Sequence, residues 1–225
     1  VHPLPDVREL RALGLPADEI ARILNSVGEK RMAVIIVEFP SSGANTQSPH
    51  LIQDFAHVVK LLDDLRSYYL EVSYGKLLLN YDFYPSSYSA YMMSRSLSYY
   101  GDQTRWGGNE RMGGEKLIRE AVSKTPEIVR QKESGGIYDY VYIVHAGYGE
   151  EVTGESGDLW SAFYSGFAQI RGFTEGCIAP ELAPEGNSSF GVVCHEFGHQ
   201  LGLPDLYDTL EGDSSVGIWC LMDYG

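Results

Sequence analysis

A chain of 225 residues with 44% hydrophobic and 12% aromatic content can bury the core of one sizeable domain. Its formal net charge of −14 argues against nucleic acid and anionic membrane as partners. No run of about 18 apolar residues occurs, so no membrane-spanning helix is expected.

In chain order, residues 1–30 read as a separate helical segment, a propeptide remnant or docking element. Val7 to Leu13 and Ala17 to Val27 are two short amphipathic helices around Gly14-Leu15-Pro16. Ile20, Ile23, Leu24 and Val27 recur at helical spacing, and Gly28 ends the second helix. Met32 to Phe39 is a continuous apolar, β-branched run and predicts a buried strand. His50 to Val72 carries the apolar stripe of a long helix, on which His57 reads as a surface or half-buried residue. Lys76 to Tyr84 is a strand. Residues 85–110 are an irregular Tyr- and Ser-rich stretch, a flap or an insertion, whose Tyr91, Tyr99 and Tyr100 line a cleft or, more simply, pack the core.

Gly113 to Lys132 has a helical pattern that Pro126 interrupts, giving a break or a second helix. Ile137 to Tyr148 is the second strong strand, and His145 at its end reads as structural. Glu150 to Asp158 is an acidic, glycine-rich loop whose carboxylates are solvated or, less simply, bind calcium. Leu159 to Ile170 and Gly172 to Ile178 are short strands. One of them could be a sheet edge along which an extended peptide lies, held by main-chain hydrogen bonds. Ser188 or Ser189 caps a helix running from about Phe190 to Leu201.

That last helix carries the chemistry. His195 and His199 lie four apart and therefore on one face, able to offer two imidazole nitrogens to one metal ion. Glu196 is the candidate general base. Gly202 then permits a sharp turn, Pro204 prevents the helix from continuing, and Asp205 returns as the candidate third ligand. Two imidazoles and a carboxylate with one position open are the ligand set of a catalytic zinc. The run is H-E-x-x-H-x-x-G-x-x-D, with Met222 downstream where metzincins place a Met-turn. A bare H-E-x-x-H is weak; the continuation makes it specific. Asp205 could instead orient a histidine, and Glu211 is the nearest glutamate for a gluzincin-like arrangement, at a spacing too short for a second helix to present it.

HEFGHQLGLPDLYD at 195–208 followed by GIWCLM at 217–222 resembles the immune inhibitor A family of secreted metzincin-like peptidases. SYYLEVSYGKLLL at 67–79, YVYIVHAGYGEE at 140–151 and Leu159-Trp160 add to the resemblance, which covers roughly residues 31–225. It implies an α/β (α+β) zincin-like catalytic domain with a twisted mixed sheet, a backing helix and an active-site helix. It implies a secreted zinc endopeptidase acting on protein or peptide substrates, with Met222 as an apolar floor beneath the metal. It also implies a small subdomain after the Met-turn, on this or an additional chain, to complete the cleft. An aspartate-rich turn before the second strong strand is expected of the family. Here that turn is Glu133-Ser134-Gly135-Gly136, which weakens the case for calcium there.

Three cysteines allow one disulfide: Cys194 with Cys220 beneath the metal, or either with Cys177. The simpler reading makes Cys194 and Cys220 small buried hydrophobes. Cys177 could also hold zinc as an inhibitory thiolate, but nothing in its surroundings suggests a switch. Two other functions compete with the peptidase: a non-catalytic binding or adhesion module on the same scaffold, and a zinc amidase acting on cell-wall peptides. The intact Glu196 speaks against the first; the sequence does not separate the second.

Overall fold

A computed structural model describes residues 6–41, 51–102, 110–130, 135–183, 189–208 and 213–223. Two short helices open the chain, α1 (Val7–Ala12) and α2 (Ala17–Asn25). Asp6 caps α1 by accepting the amide of Arg8, with Glu9 completing a capping box. Gly28, expected to end the second helix, is the first residue of strand β1 (Gly28–Glu38), with φ +85°.

The sheet contains β1, β2 (Leu77–Tyr84), β3 (Tyr91–Met92), β4 (Tyr140–His145), β5 (Ala162–Ile170) and β6 (Phe173–Pro180). Its order is β2-β1-β4-β6-β5, with β3 paired to the end of β1. Every pairing is parallel except that of β5 with β6, which leaves β5 as an antiparallel edge. The sheet is thus mixed, as expected. β1 and β4 are central and apolar on both faces, because helices cover both sides.

Alternation along β1 sorts the core. Met32, Val34 and Ile36 face α3 (Phe55–Val72) and α7 (Phe190–Gln200). Ala33, Ile35 and Val37 face α5 (Glu110–Lys124). Helix α3 is the backing helix, and it starts later than the apolar pattern suggests. Asp54 caps it by accepting the amide of His57 at 2.9 Å, which fixes Phe55 as the first helical residue. Helix α5 stops at Lys124, because the position before Pro126 disfavours helical backbone, and no second helix follows among the described residues. The 85–110 stretch contains β3 and the short α4 (Leu97–Gly101), with Tyr100 buried in the core rather than in a cleft.

Helix α7 is fastened from beneath. The Tyr69 hydroxyl of α3 donates to the Cys194 carbonyl at 2.7 Å, and the Tyr142 hydroxyl of β4 donates to the Val193 carbonyl at 3.2 Å. Phe197 is fully buried, with edge-on contacts to Tyr69 and Tyr140. Burial of such a ring contributes roughly 1.5–3 kcal/mol. Ser189 occupies the N-cap position, yet its hydroxyl caps nothing; Ser188 lies outside the described residues. All three cysteines are free thiols, so no disulfide forms. Cys194 is buried, as expected of a small hydrophobe, whereas Cys220, expected to be buried with it, is only half-buried; Cys177 is buried as well.

Candidate metal centre

Helix α7 ends on a Schellman motif. Gly202, at φ +94°, donates its amide to His199, and Leu203 donates to Gly198 at 3.0 Å. The reversed chain brings Asp205 back over the helix. His195, His199 and Asp205 form the one group of three potential metal ligands among the described residues, their ligand atoms within 4.8 Å of one another.

The imidazoles are oriented by carbonyls. Nδ1–H of His195 donates to the Leu221 oxygen at 2.8 Å, and Nδ1–H of His199 donates to the Leu203 oxygen at 2.8 Å. A carbonyl can only accept, so both Nδ1 atoms carry protons and both Nε2 atoms of the neutral rings present lone pairs. Those two Nε2 atoms stand 3.1 Å apart. Asp205 Oδ1 lies 3.0 Å from the first and 3.2 Å from the second. Three lone-pair donors this close repel unless a cation sits among them. Ligands about 2.0–2.1 Å from a tetrahedral zinc are about 3.3 Å from each other, so the residues fit the ion.

Glu196 is on the same turn and 8% exposed. Burial, with smaller contributions from the charges of Asp205 and Glu151, raises its carboxyl to about 8, while a hydrogen bond from the Phe163 amide works in the opposite sense. A cleft of about 280 Å³ opens over Glu196 and the ligand group, walled by Trp160, Ser161 and Phe163 at the start of the edge strand β5. Met222 is buried below: a Cβ on Gly198 would come within 2.7 Å of its sulfur.

Other expected features fall elsewhere. Cys177 is wholly buried and donates its thiol to the Glu196 carbonyl at 3.1 Å; burial pushes its pKa well up, so it is no thiolate ligand. His145 is buried at the end of β4, with Nδ1 3.0 Å from the Ala146 oxygen, and is not in the cluster. Glu211 lies outside the described residues, as do Glu133 and Ser134. The stretch expected as an acidic loop contains the short helix α6 (Glu150–Thr153), and among the described residues its carboxylates form no group of three potential metal ligands. Glu151 accepts from the hydroxyl and amide of Ser161, and Asp158 accepts from Thr153. Two neighbours escaped the sequence reading. The Tyr207 ring stacks on His195 with centroids 6.3 Å apart, and Phe163 stacks on His199 at 6.0 Å. Tyr207 sits two residues beyond Asp205, a proximity that could have flagged it; nothing local marks Phe163.

A mixed sheet with an H-E-x-x-H helix and a returning aspartate is consistent with a metallopeptidase catalytic domain. Residues 129–225 match the family model described as immune inhibitor A peptidase M6, catalytic domain. This match bears out the resemblance to that family. The chain is 28% identical over 170 residues to the pre-pro-metalloprotease PrtV of Vibrio cholerae serotype O1, covering 60% of this chain and 18% of that protein. It is 38% identical over 113 residues to the immune inhibitor A of Bacillus thuringiensis subsp. alesti, covering 42% of this chain and 16% of that protein. The chain therefore spans less than a fifth of the curated relatives it matches.

Proposed function

We propose that this chain carries the catalytic domain of a secreted zinc endopeptidase that hydrolyses peptide bonds in protein substrates. The observation that carries the reading is the convergence of three lone-pair donors, two of them locked by backbone carbonyls, beside a buried glutamate. His195, His199 and Asp205 would hold the ion. Bound there, zinc would polarise the scissile carbonyl and acidify a water. Glu196, whose raised pKa the charge of a bound cation would draw back down, would take that proton on its carboxylate and deliver it to the leaving amine. Edge strand β5 borders the sheet beside the cleft, where an extended substrate could lie, and recognition of that kind is largely independent of substrate sequence. In this reading residues 31–225 form the catalytic unit and residues 1–30 an N-terminal segment that carries α1 and α2, although its last three residues already belong to β1. Secretion is proposed from the family resemblance. Among the described residues, no helix is long and apolar enough to cross a membrane. The subdomain that the resemblance places after the Met-turn stays part of the proposal.

The deciding measurement is cleavage of an unfolded protein substrate with and without a chelator. Activity should vanish on chelation and return with zinc. Glu196→Gln should lower turnover by about 10²–10⁴-fold while zinc stays bound. Cleavage that survives metal removal overturns the reading. Zinc binding without turnover on any peptide favours a binding module, and turnover confined to cell-wall peptides favours an amidase.

A further inference from the structure

Leu221 and Met222 support the metal centre through three contacts. The Leu221 carbonyl accepts the His195 Nδ1 proton at 2.8 Å. The Met222 carbonyl accepts the amide of Leu206 at 2.8 Å, tying down the residue that follows Asp205. The Met222 side chain lies under α7. The position of one turn therefore sets both an imidazole and the backbone from which the aspartate reaches in.

Leu221 packs against the core and Met222 is buried under α7, but apolar packing does little for the stretch that leads into the turn. Val216 is 47% exposed, Ile218 74% and Trp219 87%. Its regular hydrogen bonds are few, Cys220 amide to Gly217 at 3.2 Å and Asp223 amide to Cys220 at 3.1 Å. The strong restraint is the Asp223 carboxylate, itself 8% exposed. Its Oδ2 accepts the Ser214 hydroxyl at 3.1 Å, the Ser215 amide at 2.9 Å, the Gly217 amide at 2.8 Å and the Val216 amide. Hydrogen bonds to an ionised acceptor are roughly twice as strong as neutral ones, and four on one oxygen draw residues 214–217 into a fixed loop.

We propose that Asp223 is a positioning residue of the metal centre: by gathering the donors of residues 214–217 it fixes the turn whose carbonyls orient His195 and anchor the Asp205 loop. It touches neither metal nor substrate. The proposal rests on the reading of His195, His199 and Asp205 as zinc ligands.

Zinc affinity is measured by chelator competition on the parent, Asp223→Ala and Asp223→Asn, together with the visible spectrum of the cobalt-substituted proteins. Of residues 214–223 only Met222 and Asp223 are buried, so the fold should persist, as far-UV circular dichroism will show. Asp223→Ala should weaken zinc about tenfold or more and shift the cobalt bands. Asp223→Asn keeps the shape and one acceptor oxygen and should recover part of the loss; it also serves as the test if the alanine variant does not fold. Affinities within twofold of the parent and unchanged cobalt spectra overturn the role of Asp223. A folded parent that takes up no zinc defeats the metal-site reading itself, and this proposal with it.

Discussion

His199 and Leu203 are joined by a hydrogen bond from Nδ1 to the carbonyl oxygen at 2.8 Å, so the turn that ends helix α7 also sets the tautomer of its second histidine. That turn exists because Gly202 adopts φ +94°. A side chain there costs about 1–2 kcal/mol in left-handed strain. A Cβ would also stand 3.3 Å from the Arg22 side chain of α2. Gly202→Ala should lower the melting temperature by several degrees, at about 2–4 °C per kcal/mol for a chain of this size. It should also weaken zinc, because the Leu203 carbonyl moves with the turn. An unchanged melting temperature would show that the turn relaxes without strain.

Asp205 is the least redundant of the three donors, since a single carboxylate oxygen faces both imidazoles, 3.0 and 3.2 Å away. Its removal leaves two ligands where a catalytic zinc takes three. Asp205→Ala should reduce zinc retention during dialysis to a small fraction of the parent's. Elemental analysis showing full occupancy in this variant would assign the third ligand elsewhere.

Glu181 gives a pH dependence away from the metal. Its side chain is fully buried after β6 and accepts the Gln53 amide at 2.9 Å. Burial raises its pKa, and hydrogen bonds from the Gln53, Gly147 and Asp54 amides only partly oppose that. The folded protein thus holds this proton more tightly than the unfolded chain. Stability should fall as pH rises from the usual carboxylate range through the raised value, with the full penalty above it. Glu181→Gln cannot ionise and retains an acceptor oxygen. The variant's melting temperature, relative to the parent's, should therefore rise as the pH is taken upward from the usual carboxylate range, with chelator present throughout. A difference that does not change with pH would show that Glu181 is ionised without cost.

The readable features were those written in local pattern. The Met32 to Phe39 run announced a central strand, because a strand covered on both faces needs no polar alternation. The four-residue spacing put His195 and His199 on one helix face, and Gly202-Leu203-Pro204 announced the turn behind them. Boundaries were less legible. Asp54 delays α3 past its apolar stripe, Ser189 sits at a cap position without capping, and Gly28 begins a strand where it was expected to end a helix. Each depends on which neighbour a backbone group finds, and several candidates lie close together in sequence.

Helix periodicity and a glycine turn act over a dozen residues, so the side chains that could share a metal, and the glutamate beside them, are legible in the chain itself. What orients them is set by long-range packing. The oxygen that receives His195 belongs to Leu221, 26 residues away. Every residue offers a carbonyl, so composition and spacing cannot mark the one that long-range packing delivers. The same holds for Phe163 against His199 and for the Asp223 carboxylate that closes the turn: these partners are chosen by where the chain returns, which is settled by burial of the whole sheet and its helices.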